Sequence, residues 1–123
     1  MPDPTDAELA ILHVLWSTGP STVRAVHEAL HADDGITYTT TLKTLQNMAH
    51  KGLVSRDERE RSHVYAAAVD RQLTRGSLVS GLLDRAFAGS AAQLVLSALS
   101  YRPTSREELA EIRALLDELE ERP

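Results

Sequence analysis

Two stretches of the chain carry side chains whose types and spacing could do chemistry. The first runs from Tyr38 to Lys51. Stepping about 100° per residue around a helix puts Tyr38, Thr41, Leu42, Leu45, Met48 and Ala49 on one side, suited to packing. The opposite side presents Thr40, Lys43, Asn47 and His50, flanked by Thr39, Thr44, Gln46 and Lys51. Such a set can read the major groove of DNA. Asn and Gln pair bidentately with adenine, Lys reaches guanine O6 and N7, and Thr touches a thymine methyl. Lys51, Arg56, Arg59 and Arg61 would be placed to meet phosphates, which position a protein without reading sequence. The plainer alternative is a solvated polar helix face.

The second stretch, His27-Glu28-Ala29-Leu30-His31, fits H-E-x-x-H, in which two histidines one helical turn apart bind zinc and the Glu acts as base. Its context argues against a hydrolase. A catalytic zinc needs a third protein ligand, and nothing after His31 offers an obvious one on a neighbouring helix. His50 and His63 fall on the groove-reading helix and on a basic hairpin. The expectation is two histidines at the polar edge of a helix, with no metal and no cofactor. There is no G-x-S-x-G, no Gly-rich phosphate loop and no carboxylate pair in an apolar setting, so the chain is not expected to be an enzyme.

The elements that must position these residues follow from caps and periodicity. Thr5-Asp6-Ala7-Glu8 is a capping box opening a first helix with Leu9, Ile11, Leu12, Leu15 and Trp16 inside it. Trp16 is expected in the core, and His13 packed or at the surface. Gly19-Pro20 ends that helix. Ser21 is predicted to cap a second, with Val23, Val26 and Leu30 as its apolar stripe. Asp33-Asp34-Gly35 is a turn by composition. The third helix spans about Tyr38 to Lys51, with Gly52 as its terminator. Leu53–Glu58 and Ser62–Ala67 then read as two short strands around a charged turn.

Beyond Asp70 the pattern is helical to the end. One helix carries Leu78, Val79, Leu82, Leu83, Ala86 and Phe87, and a short segment carries Leu94, Val95, Ala98 and Leu99. Ser105-Arg106-Glu107-Glu108 is a second capping box, opening a helix in which Leu109, Ile112, Leu116 and Leu119 form an a/d seam. The fold class is therefore mainly α with a small β hairpin. A winged helix-turn-helix domain is expected over residues 1–69, and a helical dimerisation domain over 70–123. A tail this short rarely buries a stable core alone, so its broad apolar faces predict a partner helix from a second copy. Folding back on the first lobe is the plainer alternative.

Composition bounds the same reading. The 123 residues contain no cysteine, which excludes disulfides and thiol catalysis and fits a reducing cytoplasm. No apolar run approaches a bilayer span, and the first twenty residues hold Asp3, Asp6 and Glu8 but no Lys or Arg, so no leader is expected. The net charge of −5 hides an asymmetry. From Gly35 to Arg56 there are three basic residues and no acidic one, whereas residues 104–123 hold seven Asp/Glu against three Arg. The acidic average therefore does not describe the third helix.

Several segments in order carry a resemblance. They are Asp6-Ala7-Glu8-Leu9, Leu15-Trp16, Gly19-Pro20-Ser21-Thr22-Val23, Tyr38-Thr39-Thr40-Thr41-Leu42, Lys51-Gly52-Leu53-Val54 and Val64-Tyr65. Together they resemble the penicillinase-repressor (BlaI/MecI) family over about residues 5 to 68, and more weakly to the end. The resemblance implies a homodimeric bacterial repressor that binds a double-stranded, pseudo-palindromic operator and controls β-lactamase or related genes. It gives Thr39, Thr40, Lys43, Thr44 and Asn47 base or backbone contacts, and gives Arg59 and Arg61 the wing. The copper-responsive branch senses metal through C-terminal cysteines, which this chain lacks, so copper sensing is not expected. In the antibiotic-responsive branch a membrane-bound sensor protease cuts the C-terminal lobe at an Asn-Phe bond. That bond corresponds to Ser97-Ala98 here, and neither residue matches. The alternative reading is a winged-helix protein-interaction module without an operator.

Overall fold

The computed structural model describes residues 3–122. The described residues divide between Val79 and Ser80 into two compact units. In the first unit, α1 (Asp6–Thr18) opens on the expected capping box. The Thr5 N–H donates to Glu8 Oε1 at 2.9 Å, and the Glu8 N–H donates to Thr5 Oγ1 at 3.2 Å. This arrangement satisfies two N–H groups that no helical carbonyl can reach.

The next element departs from expectation. Ser21 does not cap the second helix. Ser21 and Thr22 form a two-residue strand, β1, and Thr22 is the cap of α2 (Val23–His31), its hydroxyl accepting from the Ala25 N–H. β1 pairs antiparallel with β3 (Val64–Ala67), Ser21 opposite Tyr65, and β3 pairs with β2 (Val54–Asp57), Arg56 opposite Tyr65. The sheet order is thus β1-β3-β2, with the central strand last in sequence.

α3 (Tyr38–Lys51) begins on the Thr37 cap and ends at Gly52, whose backbone is left-handed at φ 84°, ψ 12°. That conformation lets the Leu53 N–H reach back to Met48 O (2.9 Å) and turns the chain directly into β2. A side chain at Gly52 would strain this turn. The core of this unit joins Ile11, Leu12 and Leu15 of α1, Val23 and Val26 of α2, Leu45 and Met48 of α3, and Leu53, Val54 and Tyr65 from the sheet. Trp16 is only partly buried, and its indole N–H donates to the Val69 carbonyl at 3.0 Å. His13 is exposed and stands edge-on to that indole, with ring centroids 5.6 Å apart.

Three further helices follow: α4 (Arg71–Ala86), α5 (Ala91–Tyr101) and α6 (Arg106–Glu121). α4 begins in the first unit and ends in the second. Between α4 and α5 the chain turns through Ala88, the one non-glycine residue with positive φ (48°) among those described, and then Gly89. Ser105 caps α6, but the predicted second capping box closes differently. The Ser105 hydroxyl accepts the Glu108 N–H and donates its own proton to Glu108 Oε1 at 3.0 Å. No residue of α4, α5 or α6 is buried, although the three helices are rich in Leu, Val and Ala.

Candidate nucleic-acid interface

α3 packs against α2, and one polar tie joins the two helices. Thr41 is buried, and His27 Nδ1 lies 2.8 Å from its hydroxyl. His31 pairs instead with Asp34, Nδ1 to Oδ2 at 2.6 Å, and Asp34 Oδ1 accepts the Ile36 N–H at 3.1 Å. The His31 hydrogen bond, and then the Ile36 N–H, hold the Asp34 carboxyl below its ordinary range. Both histidines of the H-E-x-x-H stretch therefore have structural partners that shape the helix-to-helix turn. Among the described residues, no group of three or more His, Cys, Asp or Glu side chains comes together as a metal site.

The outward face of α3 keeps most of the predicted arrangement. Thr39, Thr40, Lys43, Gln46, Asn47 and His50 are exposed, and Thr44 is half-buried. Lys43, Gln46 and Asn47 make no side-chain hydrogen bond or ion pair among the described residues, so their polar ends are open to a partner. The threonines are more committed. Thr40 Oγ1 lies 3.0 Å from Thr37 Oγ1, and the Thr44 hydroxyl donates to Thr40 O at 2.9 Å. With its hydroxyl turned back into the helix, Thr44 has its methyl left for contact. Tyr38 departs from its predicted place: it is 41% exposed and not in the core. It stands at the first turn of α3, with Arg24 over its ring at 5.4 Å from the centroid and His27 against its edge.

The cations expected to meet phosphates behave in two ways. Lys51 Nζ donates to Glu8 Oε2 at 2.7 Å, tying the end of α3 to the start of α1. Burial alone would push the Glu8 carboxyl up, but the hydrogen bonds from Lys51 and from the Thr5 N–H, with the Lys51 charge, bring it below its ordinary 4.5. Arg56 pairs with Glu58. Arg59 grips Asp57 with two nitrogens, Nε to Oδ1 at 3.0 Å and Nη2 to Oδ2 at 2.7 Å. Asp57 also accepts the Arg59 backbone N–H, which bends the chain as it leaves β2 into the six-residue loop between the wing strands. These contacts hold the Asp57 carboxyl down at about 2. Arg61 has no carboxylate partner among the described residues. Together with Lys43 it forms the uncompensated positive charge among the predicted residues.

Sequence reasoning missed Arg24. It lies on the exposed side of α2 at its N-terminal end and lines one cleft with Tyr38, Arg61, Ser62 and His63. Its place in the pattern of α2 gave no signal, because its neighbours in that cleft come from α3 and from the wing.

The residues predicted to dimerise divide between half-buried and exposed. Leu78, Leu83, Phe87, Leu109 and Ile112 are half-buried, while Val79, Leu82, Leu116 and Leu119 are exposed, as are Leu96 and Leu115. Ser97 and Ala98 lie within α5, Ser97 half-buried and Ala98 exposed.

Three helices whose third presents an open polar face, followed by an antiparallel hairpin bearing arginines, make a winged helix-turn-helix. That is the class of protein the fold and this face define. Residues 4–118 match the sequence profile of the penicillinase repressor family, and the chain belongs to that family. The family is one of transcriptional regulators, not a class of enzymes. The chain is 42% identical over 87 residues to the transcriptional regulator BlaI of Mycobacterium tuberculosis, in strains CDC 1551 / Oshkosh and ATCC 25618 / H37Rv. The match covers 69% of this chain and 63% of the length of those relatives. The solution structure of the DNA-binding domain of the repressor BlaI is similar with a TM-score of 0.51 at 24% identity, covering 57% of this chain and 85% of that one. The Bacillus licheniformis BlaI monomeric form in complex with the blaP half-operator gives 0.50 at 24% identity, covering 58% and 87%. These two likenesses establish the winged-helix fold.

Proposed function

We propose that the protein is a sequence-specific DNA-binding transcriptional repressor that acts as a homodimer on a palindromic operator in the cytoplasm. The observation that carries this reading is the outward face of α3, where Lys43, Gln46 and Asn47 have free polar ends beside the methyl of Thr44. Each protomer lays this helix in a major groove, where Asn47 and Gln46 reach adenine, Lys43 reaches guanine, and Thr39, Thr40 and Thr44 contact methyls or backbone. Arg59 and Arg61 of the wing meet the adjoining phosphates, and Arg56 and Lys51 lend charge nearby. Binding occludes the promoter and needs no catalysis, metal or cofactor.

Residues 1–69 form the DNA-binding part of this reading, and 70–123 hold the two protomers together. The exposed apolar side chains of α4 and α6 support a second copy as their partner. The relatives named BlaI, one of them bound to a blaP half-operator, make β-lactam-resistance genes the first operators to try. Release by a membrane-bound sensor protease would require cleavage at or near Ser97-Ala98 in α5, which needs that helix to open locally.

The test is a fluorescence-anisotropy titration against the DNA upstream of its own gene and a scrambled duplex, at two salt concentrations. Tight, salt-sensitive binding of one dimer to the native fragment supports the repressor. Weak and equal binding to both duplexes, repeated with a blaP-type half-operator, would favour a protein-interaction module.

A further inference from the structure

His27 and His31 lie four residues apart on α2, so they share one face of it. Both are half-buried, with ring centroids 5.8 Å apart and ring planes at 51°. Each ring is engaged through the same atom. His27 Nδ1 meets the buried Thr41 hydroxyl of α3 at 2.8 Å, and His31 Nδ1 meets Asp34 Oδ2 in the following turn at 2.6 Å. Among the described residues, neither Nε2 has a hydrogen-bond partner.

This pattern has a specific chemical meaning. An ionised carboxylate only accepts, so the bond to Asp34 places the His31 proton on Nδ1, and the Thr41 hydroxyl can accept from His27 in the same way. A neutral ring protonated at Nδ1 carries its lone pair on Nε2. Imidazoles that bind metal ions are held like this, one nitrogen on the ion and the other donating to a carboxylate or another oxygen that fixes the tautomer and the ring orientation. The spacing also fits. An ion held by both Nε2 atoms at about 2.0–2.1 Å, with a near-tetrahedral angle between them, sets the ring centroids about 5 Å apart, so the pair must close by less than about 1 Å. Arg24 opposes a cation here, since its guanidinium lies over the Tyr38 ring that His27 meets edge-on. The Asp34 carboxylate favours one, and it touches a ligand directly.

We infer that His27 and His31 form a two-histidine site for a divalent transition-metal ion of the zinc, copper and nickel class. Imidazole suits these ions, whereas magnesium and calcium prefer oxygen ligands. Water fills the remaining positions, so the site needs no cluster of three side chains and is not the three-ligand centre of a zinc hydrolase. An ion on Nε2 polarises the Nδ1–H of the same ring and strengthens its bond to Thr41 or Asp34. Loading therefore stiffens the tie between α2, the turn and α3. The site does not rest on the DNA-binding reading.

The experiment is a calorimetric titration of chelator-treated, full-length protein with zinc, against magnesium at the same concentration, with the histidine ring resonances followed in parallel. One zinc per protomer is expected, shifting the rings of His27 and His31 together. Binding should be abolished in His27→Asn and in His31→Asn. Asparagine puts an amide where Nδ1 stood, so the bond to Thr41 or Asp34 is kept and only Nε2 is lost. Asp34→Asn should weaken binding about tenfold. With free zinc at about a hundred times Kd, the unfolding constant read from Trp16 should fall by up to about a hundredfold, and not at all in His27→Asn. Zinc binding of equal strength in both histidine variants is an adventitious ion only and overturns the site. So does the absence of saturable binding to the wild-type chain, or an equal response to magnesium. Duplex affinity enters none of these readouts, so failure of the proposed function would leave them intact.

Discussion

Replacing Lys51 by methionine separates two jobs that one ammonium could do, meeting a DNA phosphate or holding α3 to α1. The Lys51 side chain is 41% exposed and the Glu8 side chain 5%, with 2.7 Å between their charged atoms. At an effective dielectric near 20 the gross attraction is about 6 kcal/mol, most of it offset by desolvating the carboxylate. The open end of Lys51 lowers the net value further, leaving about 1–2 kcal/mol of stability. Methionine keeps the apolar stem of the side chain, so the loss reports the charge. Glu8→Gln should cost a similar amount while preserving the cap, because Gln serves equally in a capping box. The double variant should recover about 1 kcal/mol of the summed loss.

The readout is urea unfolding followed by Trp16, the single tryptophan, whose indole bond to Val69 breaks when the first unit opens. Salt-dependent duplex binding is measured alongside. An ammonium already paired with Glu8 releases few counterions, so Lys51→Met should flatten the logarithmic salt slope by well under one unit, and Arg61→Ala by about one. The purely phosphate-contacting role that sequence alone suggests for Lys51 predicts the reverse. If Lys51→Met changes stability by less than about 0.5 kcal/mol and flattens the slope by a full unit, the ion-pair argument is wrong.

Four other outcomes follow from the same geometry. Asn47→Ala should weaken binding to the correct operator by about 1–3 kcal/mol and relax preference at one base pair, and equal loss on scrambled DNA would refute its reading role. The Glu8 and Asp57 carboxyls are held below their ordinary values, so their contribution is present near neutral pH and lost on acidification. The unfolding midpoint should therefore hold from pH 7 to about 5 and fall below that, less steeply in Glu8→Gln; an identical pH profile in that variant would contradict the assignment. Ala88→Gly should stabilise the chain by about 1 kcal/mol, compared at equal protomer concentration, since alanine is strained at a φ of 48°; no gain in unfolding free energy would count against this. Leu116→Glu, at a position 51% exposed in the single chain, should shift sedimentation from dimer to monomer and weaken operator binding at least about tenfold, and an unchanged sedimentation coefficient would remove α6 from the interface.

Much of this architecture is legible in the residues because its signals are local. Thr5 with Glu8, Gly52 after Lys51, and alternation around Val64 each mark an element boundary within a few residues. What escaped is set by distance or by very short elements. β1 is two residues long and has no periodicity to detect, so Ser21 reads as a helix cap until Tyr65 is seen opposite it. Tyr38 falls on the inward side of a helical wheel, yet at the first turn of α3 it stays exposed and meets Arg24 and His27 instead. The Glu8–Lys51 pair spans 43 residues, and neither partner reveals the other by spacing. Arg24 is silent for the same reason. The residues that share a cleft with it come from α3 and from the wing.

If the protein binds DNA as proposed, the carboxylates that cover the wing arginines also bear on how quickly it leaves the wrong DNA. On the DNA-binding reading, Arg59 must surrender its three side-chain hydrogen bonds to Asp57, and Arg56 its contact with Glu58, before either can grip a phosphate. That exchange subtracts from every encounter, matched or mismatched, because the backbone is the same everywhere. Only a site that also satisfies Asn47, Gln46 and Lys43 regains the difference. On that reading the wing is a brake on residence time along random sequence, shortening each unproductive stop and speeding the search for the operator.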